Sequence, residues 1–188
     1  MEWATAGCFW GCLVVAAPDR VSDFHAVTIV ALSLLSLSGY IGEYGRHVYT
    51  SMYFVATGFQ MFHRRDYLKV AHHFISIVGM TLGLTERGGY WMGDGVKIGS
   101  RVMLIEASTP LLHAYKRSGS KTLAAAFALS FIGLRTFYLG RLAWSIWDPS
   151  SNVARFLAAQ WCLNQIWTVQ IIQKFIGGSF KSKTKASE

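Results

Sequence analysis

The stretch LAAAFALSFIGLRTFYLGRLAWSI, residues 123–146, decides the fold class of this chain. It is apolar along nearly its whole length, and a helix of this length crosses about 30 Å of hydrocarbon at about 1.5 Å per residue. Apolar blocks of the same kind predict further helices over 3–17, 25–41, 48–62, 68–84, 98–115 and 153–176, with Asp23 as the N-cap of the second. We therefore expect an all-α, polytopic membrane bundle of about seven transmembrane helices that encloses a lipid-sized cavity.

The overall composition supports this class. Apolar residues form 52% of the 188 residues and charged residues only 15%, whereas soluble domains carry about 25% charged residues. The net charge of +8 would suggest nucleic acid in a soluble protein, but here the basic residues lie between the apolar blocks, where lipid head groups favour them. We expect no nucleic-acid partner. The three cysteines lie in apolar blocks without a zinc or disulfide pattern, and we expect no metal and no cofactor.

The distribution of lysine and arginine predicts the topology. With seven spans and the N-terminus outside the cytosol, the cytosolic turns carry eleven basic residues and the opposite turns five. This bias predicts a cytosolic C-terminus. If the first block does not span, only the N-terminus changes side. We expect one transmembrane domain over 1–180 and a polar, basic cytosolic tail over 181–188.

The same topology sorts the histidines. It places five of six near the cytosolic side, and only His47 near the other; the five are His25, His63, His72, His73 and His113. Adjacent side chains on a helix point about 100° apart, so His72 and His73 cannot both face lipid comfortably. Histidine can carry a proton, bind metal or act as a nucleophile, although no His-Glu-x-x-His pattern is present. A shared polar site is favoured over five separate histidines near head groups.

Glu106 is predicted near mid-membrane, where a carboxyl is costly and is by default a functional hypothesis. Four residues later, Pro110 has no N–H to donate to the carbonyl of Glu106. We therefore expect a kink that gathers a carboxyl, the hydroxyls of Ser108 and Thr109, and a freed carbonyl. A purely structural kink is the alternative.

Two further polar features are predicted to face neighbouring helices. Arg135, midway along the sixth helix, is the natural partner of Glu106, and a structural pair is favoured over catalysis. The last helix carries Gln160, Asn164 and Thr168 at four-residue spacing. Such a stripe is typical of interhelical hydrogen bonds, and lining of a cavity is the alternative.

Four segments in order carry a family resemblance: RVSDFHA at 20–26, Tyr53-Phe54, His72-His73 and EASTPLLH at 106–113. Together they resemble the TLC domain, the TRAM-Lag1-CLN8 family. The last segment is similar to the Glu-x-Ser-Thr-Pro signature of the TLC-domain-containing subgroup. The resemblance covers nearly the whole chain.

The family includes ceramide synthases, which join a fatty acyl-CoA to a sphingoid base. Their paired histidines and downstream aspartates form the Lag motif, and RRDY at 64–67 is similar to its start. This chain departs from the motif at the aspartate pair, where Glu106 replaces one acid and Thr109 the other. Thr57 and Gly58 also lie near a position where an aspartate is common in the family. The other members that the chain resembles are implicated in membrane phospholipid composition.

The resemblance therefore implies a multi-pass protein of membrane lipid homeostasis that binds phospholipids or sphingolipids, or controls their composition. We expect it in the endoplasmic reticulum, with the plasma membrane as the alternative. A ceramide-synthase-like N-acyltransferase using acyl-CoA, and a non-catalytic accessory subunit within a homo- or hetero-oligomer, remain alternatives. The expected catalytic residues are His72, His73 and Glu106. The expected contacts with lipid or acyl-CoA come from His25, Arg64, Arg65, His113 and Arg135.

Overall fold

A computed structural model describes residues 2–17, 20–63, 65–85 and 97–177, and this part of the chain is helical without strands. It forms seven continuous helices, so the all-α class is confirmed. They are α1 (Glu2–Ala16), α2 (Val21–Leu37), α3 (Glu43–His63), α4 (Tyr67–Thr85), α5 (98–118), α6 (Lys121–Ser145) and α7 (Asn152–Ile176). Each lies over one of the predicted apolar blocks. Arg64, the predicted loop at 88–95 and the predicted tail at 181–188 lie outside the described residues.

The helix starts differ from prediction at α2 and α3, which begin four and five residues earlier than expected. Asp23 lies inside the first turn of α2 and is not its N-cap; Arg20 holds that position without a side-chain capping bond. The predicted cap is wrong because the Asp23 carboxylate is engaged by α5 instead. The last two helices have N-cap residues whose side chains accept a hydrogen bond from a backbone N–H. Ser120 accepts from the N–H of Leu123 before α6, and Ser151 accepts from that of Ala154 before α7.

Six of the helices form a closed ring in the order α2, α3, α4, α7, α6, α5 and back to α2. Helix α1 packs on the outside of this ring against α3. Trp10 of α1 is fully buried there and donates its indole N–H to the carbonyl of Tyr49, 3.0 Å away. Each of the six helices contributes buried polar side chains, among them His25, Thr57, His72, Glu106, Arg135 and Asn164.

Two apolar clusters hold the ring together. The larger joins α5, α6 and α7 and the turn that follows α6, through Ile98, Ile105, Leu139, Leu142, Ala143, Ile146, Val153 and Leu157. The smaller joins α1, α2 and α3 through Trp10, Val21, Tyr53 and Phe54.

The described residues bury many polar side chains and expose many large apolar ones. In the described part, buried polar residues are nearly as numerous as buried apolar ones. Large apolar side chains meanwhile point outward, among them Leu129, Phe137 and Trp144, at 74%, 70% and 82% exposure. Soluble monomers seldom expose large contiguous apolar surfaces. Within the described residues, one helix, Lys121–Ser145, is both long and apolar enough to cross a membrane. The apolar helices at Ala4–Ala16 and Val21–Leu37 are shorter.

Helices α5 and α6 depart from α-helical geometry in the segments that contain Glu106 and Arg135. Helix α5 tightens into a 3₁₀ segment at Leu104–Ser108, and α6 widens into a π segment at Ile132–Tyr138. The irregularity predicted at Pro110 is therefore this 3₁₀ segment. The carbonyl of Glu106 is not freed, because the 3₁₀ geometry lets the N–H of Thr109 bond to it.

Candidate functional site

The interior contains an ion pair between α5 and α6. Arg135 Nη2 donates to Glu106 Oε1 at 2.9 Å, and the two side chains are 7% and 11% exposed. The other carboxylate oxygen, Oε2, accepts from the Thr109 hydroxyl at 2.8 Å. The predicted contact between Glu106 and Arg135 is thus confirmed.

Arg135 also connects the ion pair to its surroundings. Its Nε donates to Ser108 Oγ at 3.3 Å, its Nη1 to Asn164 Oδ1 at 3.2 Å, and its Nη2 also to Thr109 Oγ1 at 3.3 Å. The guanidinium lies over the ring of Phe131, 5.2 Å from its centroid. The positive charge is thus matched by a carboxylate and by polar groups on two neighbouring helices, α5 and α7, as a buried charge requires.

A chain of hydrogen bonds runs from this ion pair to the paired histidines. Asn164 accepts from Arg135 and donates from its Nδ2 to the backbone carbonyl of Gln160 at 2.8 Å. The Nε2 of Gln160 lies 2.7 Å from Nδ1 of His72. The polar stripe of α7 therefore faces its neighbours, as predicted, and joins Glu106 to His72 across four helices.

His73 is fixed by the neighbouring helix α3. Its Nδ1 lies 3.2 Å from the backbone carbonyl of Phe54 and 3.3 Å from Thr57 Oγ1. The Thr57 hydroxyl itself donates to the carbonyl of Tyr53 at 2.8 Å. Thr57 was noted in the sequence only as a departure from the family pattern. The only indication of the Thr57–His73 contact in the sequence was that Thr57 lies one helical turn after Tyr53-Phe54.

His25 enters the site from α2. Its ring stacks on that of Tyr53, with centroids 3.4 Å apart and planes 1° from parallel, and only 1% of the residue is exposed. Neither ring nitrogen has a hydrogen-bond partner in the described part of the chain. The Glu106 carboxylate lies within electrostatic range of His25, His72 and His73. The interior thus brings together three of the five histidines predicted to share a site.

Of the other two histidines predicted to share the site, only His113 has a described side chain. His113 binds the carboxylate of Asp23, which also accepts from the exposed Arg117. This contact ties α2 to the last two turns of α5, away from the Glu106–Arg135 pair in sequence. The side chain of His63 lies outside the description. The predicted five-residue group is therefore, as far as described, a three-histidine site and a separate Asp23–His113 contact.

Basic residues gather where α4 begins and where α5 and α7 end. The pKa of Lys116 is lowered by partial burial and by the positive charges of Lys69 and Lys174. Lys69 pairs with Asp66, and Arg65 is exposed in a left-handed turn at φ 58°. Segments predicted to share the cytosolic side therefore do meet at one end of the bundle. Arg64, predicted to contact lipid or acyl-CoA, lies outside the described residues.

No family model, curated protein or solved structure matches the chain. Its site is therefore interpreted from its own geometry. In the described part, no group of three His, Cys, Asp or Glu side chains could hold a metal ion. What the interior offers is a matched ion pair and three imidazoles among apolar and aromatic walls. Such a site can hydrogen-bond a polar group or transfer a proton.

Proposed function

We propose that this chain is a multi-pass membrane protein that holds a lipid head group in the interior of its six-helix ring and acts in membrane lipid homeostasis. The single observation that carries the proposal is a connected network of buried polar side chains in a bundle that exposes many large apolar side chains. Water does not favour that arrangement, whereas hydrocarbon does.

Helix lengths support the membrane assignment. Helices α3, α4 and α7 have 21, 19 and 25 residues, within or close to the range that spans a bilayer. Each is less apolar than α6 because each contributes polar groups to the interior. Large apolar side chains also point outward from them, as Phe74 on α4 and Ile166 on α7 illustrate.

The interior supports a lipid as the ligand. Buried polar groups without partners cost about 1–3 kcal/mol each, so a site that contains them favours a bound polar group. His25 is such a residue. Apolar walls next to it suit acyl chains. The resemblance to the TLC-domain-containing subgroup points to phospholipids or sphingolipids and to the endoplasmic reticulum. The distribution of lysine and arginine points to a cytosolic C-terminus.

Lipid mass spectrometry of the purified full-length protein tests this proposal. We expect one lipid class to be enriched over a bulk extract of the same membranes. Asn164→Leu, which cuts the network, should change or remove that lipid. Gln170→Leu, an exposed position on the same helix, should not. A lipid profile equal to the bulk extract in wild type and both variants would overturn the proposal.

A second candidate is an N-acyltransferase that uses acyl-CoA. It is favoured by the link between the paired histidines and Glu106, and by the basic end at Lys69, Lys116 and Lys174 where CoA phosphates would bind. The nitrogen of an amine substrate would attack the thioester carbonyl while a histidine takes the proton of that amine. The CoA thiolate would then leave and gain a proton.

An assay of acyl-CoA turnover with amine acceptors tests this second candidate. His72→Ala and His73→Ala should each abolish turnover while the protein remains folded and still binds lipid. If wild-type protein carries lipid but transfers no acyl group to any amine tried, the acyltransferase candidate is refuted and lipid binding remains.

A further inference from the structure

The two adjacent histidines of α4 are held in opposite tautomers. A backbone carbonyl can only accept, so the Nδ1 of His73 carries the hydrogen that it shares with Phe54 and Thr57. The amide nitrogen of Gln160 faces Nδ1 of His72, and its amide oxygen is buried without a partner in the described part of the chain. With the amide in this orientation, the Nδ1 of His72 accepts from Gln160. A neutral imidazole has one N–H, which leaves an N–H on Nε2 of His72 and a lone pair on Nε2 of His73.

These two Nε2 atoms are the polar groups still available in the pair. Neither has a hydrogen-bond partner among the described residues, and the two residues are 8% and 6% exposed. The ring centroids are 5.7 Å apart and the planes are inclined by 58°. The pair thus offers one donor and one acceptor a short distance apart.

The surrounding charge favours a neutral ligand. Arg135, the cation of this network, is already matched by Glu106 and donates to three further side chains. No uncompensated cation of the network remains for a phosphate. An ammonium group would find a single acceptor in the pair, with a guanidinium nearby.

We propose that His72 and His73 recognise a hydroxyl group on an uncharged lipid head group. The hydroxyl donates its hydrogen to Nε2 of His73 and accepts from the N–H on Nε2 of His72, which satisfies both atoms at once. This inference rests on the proposed lipid-binding function and goes further by naming the chemical group. Gln160 is then a positioning residue, because its amide fixes the tautomer of His72.

Three probes with identical acyl chains test the proposal: dioleoylglycerol, its methyl ether, and dioleoyl phosphatidic acid. Binding is measured by competition with purified full-length protein in lipid nanodiscs. The methyl ether keeps an acceptor oxygen but has no hydrogen to donate. We expect dioleoylglycerol to bind about tenfold more tightly than the ether, as one buried hydrogen bond allows, and phosphatidic acid to bind more weakly than dioleoylglycerol.

Phenylalanine substitutions keep an aromatic ring and separate the acceptor role of His73 from the donor role of His72. In His73→Phe the preference for dioleoylglycerol over the ether should disappear. In His72→Phe both affinities should fall about tenfold with the preference retained, because both probes lose the same donor. Ser76→Ala, a buried change one turn along α4, should alter neither quantity. Melting temperature and gel filtration verify folding, and the wild-type comparison needs no variant.

Several outcomes would overturn the proposal that the two histidines recognise a hydroxyl group. They are equal wild-type affinities for dioleoylglycerol and the ether, tighter binding of phosphatidic acid, or a preference that depends on His72 and not on His73. If copurified lipid is present under any of these outcomes, the lipid-binding function survives and only the hydroxyl proposal fails. If no probe binds and no lipid copurifies, both fail.

Discussion

The Glu106–Arg135 pair makes the sharpest prediction about stability. Glu106→Gln keeps the shape of the side chain but leaves the Arg135 charge without a counter-ion at a site where both side chains are buried. Arg135→Gln leaves a buried carboxylate and removes the hydrogen bonds to Ser108, Thr109 and Asn164. Breaking a buried pair from one side costs about 3–5 kcal/mol. For a chain of this size that corresponds to a decrease in melting temperature of about 6–20 °C.

The double variant distinguishes a direct pair from two independent effects. With both charges replaced by amides, no buried charge is left uncompensated. The second substitution should therefore recover part of the first loss, with a coupling energy of about 2–3 kcal/mol. Thermal unfolding of the detergent-solubilised protein measures all three variants. Arg141→Gln, an exposed arginine on the same helix, is the matched control and should stay within about 0.5 kcal/mol of wild type.

Additivity would refute this reasoning. If the loss in the double variant equals the sum of the single losses to within about 0.5 kcal/mol, the two side chains do not interact in the folded protein. A single variant as stable as wild type would be equally damaging, because a buried, uncompensated charge cannot be neutral in free energy.

The remaining predictions concern packing, a helix contact and topology. Gly140→Ala should destabilise the protein by about 1–3 kcal/mol in thermal unfolding, because its Cβ would lie 2.7 Å from Nε1 of Trp161; Gly133→Ala, with open space around it, is the control and should not show this loss. Asp23→Asn should cost no more than about 1 kcal/mol in the same assay, since its partners are partly exposed; a larger loss would mean that this contact holds α2 in place. A reporter fused after Glu188 should read cytosolic and one in the α4–α5 loop should read lumenal or external, and the reverse pattern would contradict the topology.

Much of the fold could be predicted because apolar block length and interruption are local properties of a sequence. Turn residues such as Gly119 and Ser120 separate α5 from α6 where the sequence indicated a break. The start of α3 could not be predicted in the same way. Its first turns, from Glu43, carry charged and polar residues, and a hydropathy pattern cannot distinguish such turns from a loop.

The ion pair was predictable because two charges at similar depth in apolar helices leave few alternatives. The link from Asn164 through Gln160 to His72 was not. It depends on which faces of α4 and α7 meet, and that is a property of packing between helices distant in sequence. For the same reason the sequence could group the histidines by depth but could not separate His113 from the others.

The six-helix ring also explains why, among the described helices, only α6 is apolar enough along its whole length to be recognised as a membrane span. Helix α6 places one charged side chain, Arg135, in the interior and keeps most of its remaining length apolar. Helix α7 places Gln160, Asn164 and Thr168 there at four-residue spacing, which lowers its mean hydropathy without exposing those residues. In a ring with a polar interior, each helix needs an apolar face only toward the lipid. The outward face, rather than the average over the helix, is therefore the quantity that a bilayer selects. Under the proposed membrane assignment, the exposed Ile166, Val169, Ile172 and Phe175 of α7 would face the lipid.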